Sequence, residues 1–290
     1  MKWIFKWLVK FIQKLIGLGF TLLLIGCCLW VDARYIEPKR LIVKQETVQT
    51  NKLTSDVKLN IVLFNDVHLG EYYSLKDFNK VVEKINALSP DILLFAGDLI
   101  DDNRTFTDEE AVTSLLAKLK SRYGKYAVFG NHDHGGNGTK RYKRMMKASG
   151  FELLVDEKVT IELNDANRLT LVGVDDIILS KPNFEKALNG LDEKHFNMLM
   201  SHAPDVAHKV GDAPIALQVS GHSHGGQVRL PIIGAPFTVP YGQKYIKGFY
   251  SPNEKKDMCV YVNSGIGTSQ LPYRFLNPPE ITVFYLEGKQ

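Results

Sequence analysis

The sequence predicts an α/β fold in which two β-sheets pack face to face, with helices outside them and a membrane helix at the N-terminus. Residues 59–129 alternate short apolar runs with amphipathic helical stretches. Residues 151–286 contain further apolar runs with almost no helix between them, and residues 15–31 are apolar and uncharged. Alternating strands and helices are typical of a parallel sheet, whereas strands in succession favour a second sheet.

The N-terminal residues combine a basic stripe with an apolar segment. A lysine recurs every fourth residue: Lys2, Lys6, Lys10 and Lys14. On a helix this spacing puts the charges beside an aromatic and aliphatic face, as in helices that lie at a membrane surface. The 17 residues of Leu15–Val31 reach the shorter end of the range for a membrane span. We therefore predict that residues 1–31 are a basic amphipathic segment and a single-pass membrane anchor.

Two other interpretations of the apolar segment stay open. A cleaved signal peptide has a similar apolar core, although no small-residue cleavage site follows Val31. Leu24–Cys27 fits the pattern of a bacterial lipoprotein cleavage site, but the next residues are still apolar. Four basic residues lie on each side of the segment, so the positive-inside count is a tie. A short basic tail before a large domain favours a cytoplasmic N-terminus and an extracytoplasmic domain in the cell membrane.

The location of the net charge argues against a nucleic-acid partner. The 290 residues carry a formal net charge of +4, and residues 1–14 hold four lysines and no acid. Everything after residue 14 therefore sums to zero and has no net attraction for polyanions. A nuclease is disfavoured for the same reason.

Residues 32–57 are predicted as a stalk with an entry strand, and residues 58–290 as the main domain. Apolar runs within the domain are predicted strands: Leu59–Asn65, Asp91–Ala96, Tyr126–Phe129, Phe151–Val155, Val159–Leu163, Leu169–Val174, Phe196–Met200, Ala216–Val219, Met258–Val262 and Ile281–Leu286. Ser74 with Asp77 has capping-box spacing and begins a helix after the first strand. Thr107 with Glu110 predicts a second helix, and its expected inward face is Ala111, Leu115 and Leu119.

Six short motifs in the domain hold five of the eight histidines of the chain: Asp66-Val67-His68, Gly97-Asp98, Gly130-Asn131-His132-Asp133, Ser201-His202, Gly221-His222 and His224-Gly225-Gly226. Each follows an apolar, strand-like run, and α/β folds place ligands at the carboxyl ends of their strands. Imidazole nitrogen with carboxylate oxygen is the ligand set of a hydrolytic two-metal centre. Asp98 is suited to bridge two cations because a carboxylate has two oxygens.

The Gly130–Asp133 motif has the most distinct chemistry. Gly130 is expected to allow a tight turn after the strand. Asn131 offers a neutral carbonyl ligand, which leaves His132 free to donate a proton. Asp133 is expected to hold His132 in one tautomer and to favour its protonated form.

Together these residues, in this order, resemble the calcineurin-like metallophosphoesterase superfamily over about residues 58–290. The resemblance implies a four-layer αββα sandwich of two mixed sheets flanked by helices. It also implies two metal ions, divalent or of mixed valence, with Mn, Fe or Zn suited to the nitrogen and oxygen ligands. Carried over by motif, the roles are Asp66, His68 and His224 for the first metal, Asn131, His202 and His222 for the second, Asp98 as the bridge, His132 beside the leaving group and Asp133 as its support.

Within the superfamily, residues 221–227 and the stretch 265–281 are most similar to a membrane-associated branch. That branch includes UDP-2,3-diacylglucosamine pyrophosphatases and related phosphodiesterases. The resemblance implies a metal-dependent hydrolase of phosphodiester or pyrophosphate bonds, with a lipid-linked or nucleotide-linked substrate at the membrane. Hydrolysis of soluble phosphodiesters or phosphomonoesters is the alternative, and a non-catalytic metal-binding module is a second one.

Three further residues have two interpretations each. Asp176 ends a strand and either lines the site or caps a loop. Arg274 either contacts a substrate phosphate through its planar fork or forms a surface salt bridge. His134 either touches substrate or supports the site from behind.

Overall fold

The computed structural model describes residues 1–252 and 258–289. The α-helices are α1 (Lys2–Val31), α2 (Leu75–Ala87), α3 (Glu109–Ala117), α4 (Asn131–His134), α5 (Thr139–Ala148) and α6 (Phe184–Leu188). The strands are β1 (Ile42–Thr50), β2 (Lys58–Phe64), β3 (Ile92–Phe95), β4 (Lys125–Ala127), β5 (Phe151–Leu153), β6 (Glu157–Glu162), β7 (Arg168–Gly173), β8 (Phe196–Met200), β9 (Leu217–Ser220), β10 (Gly248–Tyr250), β11 (Cys259–Val262) and β12 (Glu280–Gly288). The described residues also contain a π-helical turn, Asp32–Ile36, and four 3₁₀ turns: Glu37–Lys39, Gly135–Asn137, Pro204–Lys209 and His224–Gly226.

The strands form two six-stranded sheets, and both are mixed. The first has the order β1-β12-β2-β3-β4-β5, in which only the β12–β2 pair is antiparallel. The second has the order β10-β11-β9-β8-β7-β6, in which β11, β9, β8 and β7 run parallel to one another. The predicted pair of mixed sheets is confirmed.

Three apolar clusters separate four layers. Alternate residues of one strand enter different clusters: Ile61 and Leu63 face the second sheet, whereas Val62 and Phe64 face α2. A third cluster lies on the far side of the second sheet, where Val172 and Leu199 pack against Ala187 of α6. Because side chains alternate along a strand, a sheet buried on both faces needs apolar residues at successive positions, as β2 and β3 have.

Strand β1 lies in the segment predicted as a stalk with an entry strand, and it pairs with β12 from Ile42 to Thr50. One helix differs from the sequence prediction. The predicted inward face of the second helix is wrong at Ala111, which is exposed, because Val112 and Leu116 are the buried residues of α3. Burial of the larger side chains removes more apolar surface from water.

Helix α1 is continuous through the basic stripe and the apolar segment, and it is exposed along its whole length. Its length and composition would allow it to cross a membrane, and they equally suit a signal sequence. The turns that follow it are bonded to the domain. The Arg274 amide donates to the Ala33 carbonyl at 2.9 Å, and the Asn277 amide donates to the buried carboxylate of Glu37.

Candidate metal centre

The predicted ligands meet where strands of both sheets end. Asp66 and His68 follow β2, Asp98 follows β3, and Asn131 begins α4 just after β4. Three further histidines come from the second sheet: His202 after β8, and His222 and His224 after β9. Parallel strands bring their carboxyl ends to one edge, so the centre lies between the two sheets.

The residues expected at the first metal form one buried cluster of Asp66, His68 and His224. The His224 Nε2 atom lies 3.0 Å from the His68 Nε2 atom and 3.7 Å from Asp66 Oδ1. Three donor atoms at such distances can all reach one cation.

Asp98 lies between this cluster and a second one. Its Oδ2 atom is 3.5 Å from His68 Nε2 and 3.2 Å from His202 Nε2. Asp98 also forms a buried cluster with His202 and His222. The Asp98 carboxylate is thus close to a histidine of each cluster, and its role as a bridge between two ions stays a prediction.

The outer ring nitrogens of three histidines are held by hydrogen bonds, which leaves the other nitrogen free to bind a cation. His202 Nδ1 lies 2.8 Å from the Ala96 carbonyl, and His222 Nε2 lies 2.8 Å from the Pro240 carbonyl. His68 Nδ1 lies 3.1 Å from the Asp101 carboxylate. A carbonyl can only accept, so the His202 and His222 nitrogens that face one must carry the proton.

Seven buried side-chain polar atoms have no hydrogen-bond partner among the described residues, and two of them belong to predicted metal ligands at the atom expected to bind: Asn131 Oδ1 and His202 Nε2. An unpaired buried polar atom costs free energy, and native proteins rarely leave one without a reason. The donor set of imidazole, carboxylate and amide oxygen suits Mn, Fe or Zn. The residues therefore fit a two-metal centre.

The backbone of the centre is strained. Asp66, His68, Asp98, His222 and His224 have φ angles between 47° and 65°, in the left-handed region. For a residue other than glycine this conformation costs about 1–2 kcal/mol. Such outliers persist where the surrounding structure over-determines them, and they cluster at functional sites.

Gly130 is needed for space and not, as the sequence suggested, for a tight turn. Its φ is −102° and its ψ is 175°, an extended conformation open to any residue. A Cβ atom at Gly130 would overlap the Asp98 carboxylate, and one at Gly221 would overlap Asn65 and the Asp66 carboxylate. Both glycines keep the strand ends close to the ligands.

His132 differs from the metal-site histidines in its exposure. Its side chain is 28% exposed, whereas those of His68 and His202 are fully buried. It lies in a groove of about 590 Å³ whose lining includes Asn131, Arg104 and Gln270. A group that gives a proton to substrate must be reachable in this way.

Asp101 positions His132, and sequence reasoning missed this residue. The His132 Nδ1 atom lies 2.6 Å from the Asp101 carbonyl, so it carries the proton and Nε2 is free for substrate. The Asp101 carboxylate meanwhile holds His68. The sequence does contain a hint of this role, because in Gly97-Asp98-Leu99-Ile100-Asp101 a second acid follows the predicted bridging carboxylate three residues later.

Asp133 does not fix the tautomer of His132 as expected, because the ring nitrogen faces the Asp101 carbonyl, but its charge does contribute to the raised pKa of His132. The Asp133 carboxylate accepts from the backbone amides of Gly130, Asp98 and Leu99 at 2.8–3.0 Å. It therefore ties the loop after β3 to the loop after β4. Burial, with the nearby Asp98 carboxylate, raises the pKa of Asp133 to about 7.

Asp98 and the histidines shift one another's pKa values. Burial alone would raise the pKa of Asp98, but the positive charge of His202 and His132 holds it well below its usual range. Burial likewise opposes protonation of His132, but Asp98 and the Asp101 carbonyl outweigh it and raise its pKa. Burial and the neighbouring His202 lower the pKa of His222 to about 4, which favours the neutral, ligating form.

The interpretation of Arg274 as a phosphate contact is not supported. Its side chain is fully buried, and its guanidinium donates to the carbonyls of Gly267, Asn277 and Ser264. With these donors engaged, Arg274 clamps the loop before β12.

Asp176 and His134 lie at the edge of the centre. One Asp176 oxygen caps a loop by accepting from the amides of Ile178 and Leu179. Its other oxygen is buried with no partner among the described residues, so contact with substrate stays a prediction. His134 pairs with Asp175 at 2.7 Å and stacks on Phe129 at 4.2 Å between ring centroids, which favours a supporting role.

Known proteins resemble this chain over most of its length. The model of the calcineurin-like phosphoesterase family matches residues 59–226. The chain is 41% identical over 257 residues to the uncharacterized metallophosphoesterase YkuE of Bacillus subtilis, covering 88% of this chain and 89% of that protein. It is 30% identical over 249 residues to the uncharacterized metallophosphoesterase Cj0846 of Campylobacter jejuni, covering 86% of this chain and 64% of that protein. It is also 30% identical over 244 residues to a Bos taurus protein described as a transmembrane protein with metallophosphoesterase domain, covering 79% of this chain and 53% of that protein.

Proposed function

The chain belongs to the calcineurin-like phosphoesterase family, and from that premise we propose a membrane-anchored enzyme that hydrolyses phosphodiester or pyrophosphate bonds. The observation that carries the proposal is the two buried ligand clusters, Asp66–His68–His224 and Asp98–His202–His222, which lie beside an open groove and are joined by the 3.5 Å approach of Asp98 Oδ2 to His68 Nε2. Metal dependence follows from the family and from these clusters.

We assign one metal to Asp66, His68 and His224, and the other to Asn131, His202 and His222, with Asp98 as the bridge. The unpartnered Asn131 oxygen and His202 nitrogen support this assignment. When bound, such a pair of cations supplies Lewis-acid stabilisation of the phosphoryl group and activation of a water.

The proton donor in this proposal is His132. Its Nδ1 proton is held by the Asp101 carbonyl, so its Nε2 atom is the one that faces substrate. Asp98 raises its pKa and thereby favours the charged form that can give a proton to the leaving oxygen. Asp101 orients the ring, and the groove beside it admits the substrate.

The test is His132→Ala with two diesters that differ in their leaving group. Turnover of an alkyl diester should fall about 10²–10⁴-fold, because an alkoxide must be protonated as it leaves. Turnover of a bis-nitrophenyl diester should fall much less, and the metal content should not change. His195→Ala, which lies away from the centre, is the control. Equal losses on both substrates would rule out the acid role.

The proposed substrate is lipid-linked or nucleotide-linked and is hydrolysed at the membrane, with the domain on the extracytoplasmic side. The exposed, basic and tryptophan-containing helix α1 supports this part of the proposal. The alternative, a soluble diester or monoester, predicts the same turnover with and without residues 1–31. The membrane proposal instead predicts that their removal lowers turnover of vesicle-borne diesters only.

A further inference from the structure

The loop after the last metal-ligand motif exposes large apolar side chains. Residues 230–237 carry no charge. Ile232, Ile233 and Phe237 are 108%, 70% and 80% exposed. With three neighbours they form the apolar rim: Leu230, Ile232, Ile233, Phe237, Leu271 and Leu276. Soluble domains rarely expose so many large apolar residues together without a partner.

Hydrogen bonds join the two parts of the apolar rim. The amide of Arg229 donates to the Phe275 carbonyl at 2.8 Å, and the Phe275 amide donates to the Gln227 carbonyl at 3.2 Å. Leu230 and Gly234 exchange two backbone bonds and form a tight hairpin with Ile232 and Ile233 at its tip. Ile232 has a φ of 71°, a rare conformation for a β-branched residue, so the tip holds its shape at a cost.

The same segment meets the end of helix α1. Arg274, beside Phe275, donates its amide to the Ala33 carbonyl. Trp30 packs edge-on against Tyr35, and the Arg34 guanidinium lies over the rings of Tyr35 and Tyr72. Tryptophan and tyrosine mark the level of the membrane surface at the end of a spanning helix. The apolar rim therefore lies beside the point where α1 would leave a bilayer.

The loop that carries the rim is also fastened to the metal centre. It starts just after His224, and at its other end the Pro240 carbonyl holds His222. Leu271 directly follows Ser269 and Gln270, which line the groove beside His132. Gln227 ties these stretches together through hydrogen bonds with Ser269 and Leu271.

We propose that the apolar rim is a second membrane contact, which inserts into the interfacial layer of the bilayer that holds α1. This inference rests on the membrane-anchored function proposed above. It places the groove at the level of lipid headgroups. The substrate it implies is a phosphoester whose acyl chains stay in the bilayer while its headgroup enters the groove.

Single-tryptophan fluorescence tests the insertion directly. The three tryptophans of the chain all lie in α1, so full-length protein carrying W3F, W7F and W30F provides a dark background. Ile232→Trp in that background, reconstituted into phosphatidylethanolamine–phosphatidylglycerol vesicles, should be quenched by lipids brominated near the top of their acyl chains. Ala166→Trp is the matched control, because it lies in an exposed turn at the opposite ends of the strands. It should not be quenched.

An activity measurement tests the consequence. The measured quantity is the ratio of turnover on a vesicle-borne diester to turnover on a soluble diester. The triple variant I232S/I233S/F237S removes three large apolar contacts with the bilayer, so this ratio should fall at least tenfold, since a loss of about 1.4 kcal/mol in binding free energy is about tenfold. I232L/I233L/F237L, which keeps the apolar character, should restore the ratio, and Ala166→Ser should leave it unchanged.

The outcomes are distinct. An unquenched Ile232→Trp in protein that floats with the vesicles overturns the rim contact but leaves the anchor intact. A tryptophan that is shielded from both brominated lipid and aqueous iodide indicates a protein partner, which also overturns it. Protein that no longer floats with vesicles contradicts the anchor of the proposed function instead.

Discussion

The metal centre and the apolar rim are neighbours, and both depart from the usual distribution of residues in a soluble protein. The centre buries polar residues, whereas the rim exposes apolar ones. The centre buries aspartate and histidine, with Asp66 and His202 at 1% exposure or less. The rim exposes isoleucine and phenylalanine, and Ile232 is more exposed than in an extended chain. Both arrangements cost free energy, and both are informative because folding alone would not select them.

The difference lies in what offsets each cost. Inside the centre, Asp133 accepts three backbone amides and Asp101 holds two histidines, so polar atoms of the chain support one another. The apolar side chains of the rim are left exposed by the described residues, and in our proposal the bilayer covers them. Changes in the centre should therefore damage chemistry, whereas changes in the rim should damage only where the chemistry takes place.

The largest effect should come from Asp98→Asn, which removes the charge of the proposed bridge but keeps its shape. Loss of an outer partner of a metal site costs about 10–100-fold, so loss of a bridging ligand should lower turnover at least 100-fold. Metal content measured by mass spectrometry should fall in parallel. Asp165→Asn, in an exposed turn far from the site, should change neither. Full metal content in the Asp98 variant would contradict the bridging role.

Gly130→Ala should have the next largest effect. The new Cβ would push the Asp98 carboxylate out of place, and a displacement near 1 Å can cost about 100-fold in turnover. Gly190→Ala is the control, since its Cβ meets open space although its φ is +70°. The control should lose stability but keep its turnover. Equal turnover in both variants would show that the close approach is unimportant.

The His134–Asp175 pair should give a smaller, pH-dependent effect. Burial opposes both charges, but their hydrogen bond raises the pKa of His134 above 6.5 and lowers that of Asp175 below 3.8. The stabilisation should be full between about pH 4 and 6.5. At higher pH the stabilisation should be lost as His134 loses its proton, and at lower pH it should be lost as Asp175 gains one. Chemical denaturation of His134→Gln should show a loss of about 1–2 kcal/mol in this window and less at pH 9. A loss that does not vary with pH would contradict the charged pair.

Ile232→Ser should have the smallest effect on stability. The side chain is fully exposed, so the free energy of unfolding in detergent should change by less than about 0.5 kcal/mol. Leu63→Ala, between the sheets, should lose about 2–5 kcal/mol by the same measurement. A large loss at Ile232 would mean that the rim packs against its own domain.

More of the fold than of the hydrogen bonding in the site could be predicted from the sequence. The strands were predictable because sheets buried on both faces need continuous apolar runs, as in β2 and β8. The grouping of the Asp and His motifs was expected for a related reason, since parallel strands bring their ends together. An entry strand was expected in residues 32–57, but its place beside β12 could not be predicted because the two strands are far apart in the sequence.

What could not be predicted depends on the path of the backbone. Asp101 supports His132 through a carbonyl, and a sequence does not reveal which carbonyl a ring will face. Arg274 looked like a phosphate ligand because of its fork, but three backbone carbonyls use its donors in the interior. Asp133 was expected to hold the His132 ring because the two are adjacent in the chain, whereas its oxygens accept from the amides of Gly130, Asp98 and Leu99.

The position of β12 between β1 and β2 has a consequence for how the protein is made. A ribosome releases β1 early, but its only strand partner among the described residues, β12, emerges after all the other described strands. Ile266 and Gly267, whose amides donate to backbone carbonyls of Asn65 and Asp66, also leave the ribosome late. Until then β1 and β2 present open edges, a hazard for association with other chains. The nascent domain therefore needs protection until β12 has emerged, because only then are both open edges covered.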